Sequence, residues 1–257
     1  MGPLVIGSDV SLLLGAGIAL RQRGPYGLQH LDGTRTSGTL RQEIDQAEEA
    51  FGVDFAPLMR VAREQSSADP AHDFLHVQRA WNNAQRILHG TPADVDVVGP
   101  AILLHELFNY PKDDPRSPLS GDVCAEYAEE VLARTDYPRE KRGQVLDCIR
   151  FHSFSRGVVP SHIEGKIVQD ADRLDALGAI GIARLFATGA LMKIPFYHAT
   201  DPFAEHREWN DKQQSLDHVY TKLLKLADTM HTPVAKAMAV SRMEFVKQYV
   251  RQLQNEI

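Results

Sequence analysis

Apolar residues recur at three- and four-residue spacing along most of the chain, the period of helices that bury one face. The clearest run is Phe74, Val77, Trp81, Ala84 and Leu88. It predicts a helix over about 71–89, opened by Pro70 and His72 and closed by Gly90. Before it, Thr39 can cap a segment running to about Gln65, with Glu43 near its first turn. After it, Pro92 starts a helix over roughly 93–108, with Val97, Val98, Ala101, Leu104 and Phe108 on the inner side. Pro111, Pro115 and Pro118 turn 109–120 into a loop. Further helices are expected at roughly 121–134, 138–152, 161–187, 209–229 and 232–255, with a long irregular connection over 188–208. Val158–Val159 and Ile167–Val168 are too short to build a sheet, and no repeat period is present. The pattern predicts one all-α domain from about 41 to 257.

The first forty residues have a different texture. They hold eight of the 18 glycines and no lysine, a composition that weakens helices. Residues 1–40 therefore read as a glycine-rich, partly ordered extension. Its Gly15–Gly17 segment lacks the strand–helix unit that would make it a dinucleotide loop. In the all-α part, Gly178 and Gly181 read as sites of close helix packing, and Phe196, Tyr197 and Trp209 as core.

The chain has 257 residues, is 43% hydrophobic and carries a formal charge of −6. That length and composition suffice for a large buried core. The acidic balance argues against a general binder of nucleic-acid polymers or of anionic membranes, yet allows a local basic pocket for one phosphorylated small molecule. Cys124 and Cys148 form no CxxC pair and no zinc spacing, and read as small core residues in a reducing compartment. No apolar run reaches transmembrane length, and Arg21 and Arg23 follow the apolar Val10–Leu20 stretch where a secretory signal would have them precede it. A cytoplasmic location is expected.

Histidine placement changes the picture. Three clusters lie in apolar helical text: His72, Asp73, His76 and Arg79; His105, Glu106 and Asn109; and Asp170, Asp172, Arg173 and Asp175. Ionisable groups in such surroundings need partners, and a metal would satisfy several at once. Each has a plainer reading when taken singly: His105–Glu106 as a buried ion pair, Asp172 paired with Arg173 or Arg184. His89, His198, His218 and His231 read as hydrogen-bonded structural residues. A zinc-protease HExxH site is excluded, because Asn109 stands where its second histidine would be.

The order His76, His105–Glu106, Asp172 resembles the H…HD…D signature of the HD-domain metal-dependent phosphohydrolase superfamily. HDFLHVQRAWNNA, FHSFS, EGKIVQDADRLDALGAIGIARLFA and DPFAEHREWNDKQQSLDHVYTKLLKL resemble a bacterial subfamily that includes nucleotide pyrophosphohydrolases. The similarity spans about residues 68–230 and implies an all-α, HD-domain helical bundle. One position departs: the second motif of the family is His-Asp, and this chain has His105-Glu106. Glutamate is also an oxygen ligand, one methylene longer, and three protein ligands already suffice for a catalytic site.

The resemblance implies a metal held by His76, His105, Glu106 and Asp172. Two imidazoles and two carboxylates suit Mn²⁺, Fe²⁺, Co²⁺ or Ni²⁺ better than Mg²⁺, with Zn²⁺ also open. The implied reaction is hydrolysis of a phosphoester or phosphoanhydride in a small phosphorylated metabolite, foremost a nucleotide, with release of pyrophosphate from a nucleoside triphosphate as one form. Arg79, Lys112, Lys166 and His72 are the expected substrate contacts, and Arg116 reads as a surface cation. His152, Asn109 and Asp175 are the expected catalytic or orienting groups. Two alternatives stay open: an HD-type di-iron oxygenase, which needs two further histidines after the second motif, and a non-catalytic nucleotide sensor. A homo-oligomer is also left open.

Overall fold

The structure, a computed structural model, describes residues 55–67, 69, 72–111 and 114–257. The glycine-rich extension, the start of the helix expected from Thr39, Pro70 and Lys112 lie outside the described residues. The rest is helical, as the periodicity predicts: α1 (Ala56–Glu64), α2 (Phe74–Leu88), α3 (Val95–Leu104), α4 (Ser120–Ala133), α5 (Arg139–Phe151), α6 (Ile163–Asp175), α7 (Gly178–Leu191), the short α8 (Leu224–Leu226) and α9 (Pro233–Glu256).

Several helices start on side chains that satisfy the orphan amides of their first turn. Asp73 accepts from the backbone N–H of His76, Asp94 from that of Asp96, and Thr232 from that of Ala235. His162 does the same for Gly165 through Nδ1.

α3 is the most apolar helix and runs through the core, with Val97–Leu104 all buried. It contains Pro100, which has no N–H to donate to the carbonyl four residues earlier. Tyr137 fills that gap: its hydroxyl donates to Asp96 O at 2.5 Å. α6 is the central scaffold, packed against α2, α3, α5, α7 and α9. Its register on α2 is held by Asn83, whose Nδ2 donates to Ala171 O while its Oδ1 accepts from Arg242 of α9. Both cysteines are free and buried, as core residues should be.

Several expectations need correction. The helix read over 161–187 is two helices meeting at 73°. The break falls at Gly178, whose φ of +73° is left-handed backbone that glycine tolerates. At Gly181 a Cβ would lie 2.1 Å from Ala176 O, so this glycine allows the tight corner. Gly181 thus serves the bend, while Gly178 also packs closely against α9, where a Cβ would lie 3.3 Å from the Arg242 side chain. The helix read over 209–229 is instead a pinned loop followed by a π-turn (Val219–Leu223), α8 and a 3₁₀ turn (Ala227–Thr229). Phe196 is 59% exposed and is not core, while Trp209 stacks on Tyr220 at 3.9 Å between ring centroids. Among the described residues no single helix is long and apolar enough to cross a membrane.

Candidate metal centre

The end of α3 builds the centre of the site. Its last carbonyls have no helical partner, and side chains take them up. His105 Nδ1 donates to Ile102 O at 2.7 Å, and the buried Cys124 thiol donates to Leu104 O and His105 O at 3.2 Å each. This fixes the His105 ring with Nε2 facing inward. His76, in the first turn of α2, is fixed from behind in the same way: its Nδ1 donates to Asp175 Oδ2 at 2.7 Å. The two Nε2 atoms then face each other at 3.2 Å.

Carboxylates close the cluster. Asp172 Oδ1 lies 3.5 Å from His76 Nε2 and 4.0 Å from His105 Nε2. Glu106 Oε1 lies 3.5 Å and 3.9 Å from the same atoms, and its Oε2 accepts from Asn109 Nδ2. Ligand atoms of His76, His105 and Asp172 all lie within 4.8 Å of one another. The chemistry fits a divalent metal. Two imidazole nitrogens converge with their other nitrogens occupied elsewhere, which selects the tautomer a metal needs. Facing oxygens complete a mixed N/O set.

The electrostatics describe what holds the cluster without an ion. Burial pulls the His76 pKa down, but hydrogen bonds to Asp175 and Glu106 outweigh it and raise the value to about 9. His105 has no such partner, and burial lowers it to about 4. Burial alone would raise Glu106 and Asp175, yet the His76 hydrogen bond holds both well below the ordinary carboxylate range. Asp172 is also lowered, since the surrounding histidines overcome the effect of burial.

The structure brings together His76, His105, Glu106 and Asp172, and sets the other expected residues around them unevenly. His152 lies beside His105, ring centroids 5.1 Å apart, with its Nδ1 donating to Ile149 O. His72 sits 6.4 Å from His76 by ring centroid, with Nδ1 on Asp69. Both line, with Asn109, Glu106 and Asp172, a cavity of about 420 Å³.

Besides the buried His76 and His105, the expected site residues Asp175, Arg79 and Lys166 do not line that cavity. Asp175 stands behind His76, where it also receives Arg79 (2.7 and 3.0 Å) and Arg184 (2.7 Å). The guanidinium of Arg79 is therefore spent on Asp175. Spacing placed Arg79 correctly beside His76 but could not show that it reaches the Nδ1 side of the ring, away from the cavity. Lys166 does not line the cavity, and its charge helps to lower the His231 pKa, which burial already depresses. Arg116 is on the surface, as expected, paired with Asp114 over the Tyr110 ring.

Four cavity residues were missed as site residues by sequence reasoning: Arg184, Lys212, Lys222 and His218. Arg184 was read only as an ion-pair partner and His218 only as structural. Arg184 lies in the resembling segment 164–187 and the other three in 201–226, and no local motif marks any of them. His89, His198 and His231 do make the structural hydrogen bonds expected, to Gln85 O, Asp201 N and Gln169.

The HD domain family matches residues 74–177, the stretch from α2 to the α6–α7 corner that holds His76, His105, Glu106 and Asp172. YpgQ of Bacillus subtilis (strain 168) is 35% identical over 190 residues, 72% of this chain and 84% of that protein. The chain belongs to the HD-domain phosphohydrolase superfamily. Solved relatives share the fold. The crystal structure of B. subtilis YpgQ in complex with ADP matches with a TM-score of 0.59 and 33% identity, over 78% of this chain and 97% of that one. An HD-superfamily hydrolase from Bacillus thuringiensis matches with a TM-score of 0.55 and 29% identity, over 84% and 97%.

Proposed function

We propose that this protein is a metal-dependent phosphohydrolase that cleaves a phosphoanhydride or phosphoester bond in a nucleotide, with a nucleoside triphosphate yielding pyrophosphate as the leading case. The observation that carries it is one cavity holding both parts of that chemistry. At its floor are Glu106 and Asp172, with the buried His76 and His105 converging behind them, and in its wall are Arg184, Lys212 and Lys222. The ADP held by YpgQ in its crystal structure supports the choice of a nucleotide.

His76 Nε2, His105 Nε2, Asp172 and Glu106 would hold the ion, in this reading Mn²⁺, Fe²⁺, Co²⁺ or Ni²⁺, with Mg²⁺ or Zn²⁺ as weaker fits. When bound, it would lower the pKa of water and polarise a phosphoryl oxygen. The protein supplies the rest. Asp175 acts through His76: by holding the Nδ1 proton it keeps Nε2 free as a ligand and orients the ring. Arg184, Lys212 and Lys222 offset the charge of the phosphates. Asn109 steadies Glu106, which compensates for the extra methylene that glutamate brings. His72 and His152 project beside the cluster, where they can hydrogen-bond phosphate oxygen or water. A di-iron oxygenase is disfavoured. Of the described histidines between His105 and Asp172, His152 alone lies at the site, and His162 caps α6.

The test is metal-free protein reloaded with Mn²⁺, Co²⁺, Fe²⁺, Ni²⁺, Zn²⁺ or Mg²⁺, with phosphate and pyrophosphate release followed across a nucleotide panel. Turnover is expected with at least one transition metal, and the product identifies the cleaved bond. Nucleotide binding without turnover under any metal would replace this reading with a sensor.

A further inference from the structure

The cavity is also lined by groups from beyond α7 that the metal chemistry does not use. His218 Nδ1 donates to Asp211 Oδ2 at 2.9 Å, and Thr221 Oγ1 donates to the same oxygen at 3.0 Å. With Nδ1 committed, the free position of the His218 ring is Nε2. Burial and the Lys222 charge depress the His218 pKa, so the ring is neutral and Nε2 is a hydrogen-bond acceptor. Asp211, ionised, is acceptor-only as well. Both line the cavity that opens onto the metal cluster.

The pair is held rigidly. The loop that carries it is pinned by Asp217, fully buried, which accepts from Arg207 Nη2 at 2.8 Å and from the Asn210 backbone N–H at 2.7 Å. The same cavity has an apolar part formed by Leu185, Met192, Ile194, Leu223 and Leu226. A purely inorganic or small phosphorylated ligand has no use for such a surface, whereas a nucleobase does.

We infer that Asp211 and His218 accept hydrogen bonds from the sugar hydroxyls of a nucleoside phosphate whose base lies against Leu185, Met192, Ile194, Leu223 and Leu226. Acceptors of this kind suit hydroxyl donors and repel phosphate oxygens; a carboxylate on ribose hydroxyls is a recurring solution in nucleotide sites. The pair would therefore set sugar recognition, while the cations and the metal cluster take the phosphates. The inference rests on the nucleotide reading above.

The experiment is a cycle between residue and ligand. Affinities of the full-length protein are measured by calorimetry for ADP, GDP, CDP and UDP, then for the 2′,3′-dideoxy counterpart of the tightest, and for inorganic pyrophosphate. Wild type, His218→Ala and Asp211→Asn are compared, with circular dichroism as the fold check. Loss of a net hydrogen bond predicts about a tenfold weaker affinity for the hydroxylated nucleotide in each variant. Binding of the dideoxy counterpart and of pyrophosphate should stay within about twofold of wild type on the same reasoning. An equal loss on all three ligands, or no loss on any, overturns the sugar contact and leaves the hydrolase reading standing. Absence of nucleotide binding in the wild type overturns both the sugar contact and the nucleotide reading. Asp211→Asn keeps the shape of the site and decides the matter if His218→Ala unfolds.

Discussion

Asp175→Asn is the perturbation that separates support of the metal cluster from direct ligation. Asp175 is 1% exposed and does not itself line the cavity, yet it receives His76 Nδ1 at 2.7 Å, both arms of Arg79 and one arm of Arg184. Asparagine keeps the shape and one acceptor oxygen, but removes the charge that offsets two guanidinium groups. Breaking a buried charge pair costs about 3–5 kcal/mol. Arg79 is 28% exposed at its side chain and can turn to water, so the lower end, about 3 kcal/mol, is expected. The metal should feel the change through His76. Without the carboxylate, Nδ1 is a weaker donor, the ring is less basic and the tautomer is less firmly set. Loss of such a supporting partner weakens metal binding by about 10–100-fold. Urea unfolding of the metal-free variant reads the first effect, and competition for Co²⁺ with a chelator reads the second. If the variant unfolds at the wild-type urea concentration and binds Co²⁺ with wild-type affinity, the assignment of Asp175 as the group that orients His76 is wrong.

Other outcomes follow from the same geometry. His76→Ala or Asp172→Ala should abolish metal binding and hydrolysis while leaving far-UV circular dichroism nearly unchanged; full activity in either variant would remove it from the ligand set. Glu106→Asp, which restores the residue the family uses, should preserve or raise turnover, and a collapse in turnover would show that the longer side chain and its Asn109 contact are required. Because His76 is raised to about 9 in the metal-free protein, a metal must displace its proton, so apparent affinity should climb roughly tenfold per pH unit from pH 7 and level off above pH 9. The same shift stabilises the metal-free fold fully below the unfolded imidazole value of about 6.5 and is lost as pH rises through about 9, as chelator-treated protein should show on urea unfolding. Arg207→Ala leaves the buried Asp217 carboxylate with backbone partners only and should destabilise the protein by about 3 kcal/mol, measured by urea unfolding.

The helices and the candidate ligands were legible in the chain for the same reason: both are local signals. Helical periodicity and capping act over one or two turns, and buried ionisable residues are conspicuous in apolar text. The order His76, His105–Glu106, Asp172 therefore pointed to a converging cluster that fits a metal, and to its family, before any fold was seen. Local signals end where the chain must turn or reach across space. The corner at Gly178 depends on a left-handed residue and on the closeness of Ala176 O to Gly181, and apolar residues continue through it without a break in period. The loop over 201–217 is ordered by Arg207, Asp217 and Asn210, polar contacts that leave no hydrophobic period to read. The two roles that spacing could not assign, Arg79 and Asp175, turn on which nitrogen of His76 each approaches. Sequence determined the family and which residues were candidates for its site. Tertiary structure decided that Arg79 and Arg184 meet on Asp175 behind His76, and that Lys212, Lys222 and His218, from a segment beyond the matched domain, line the cavity, because those choices are made by packing between helices distant in the chain.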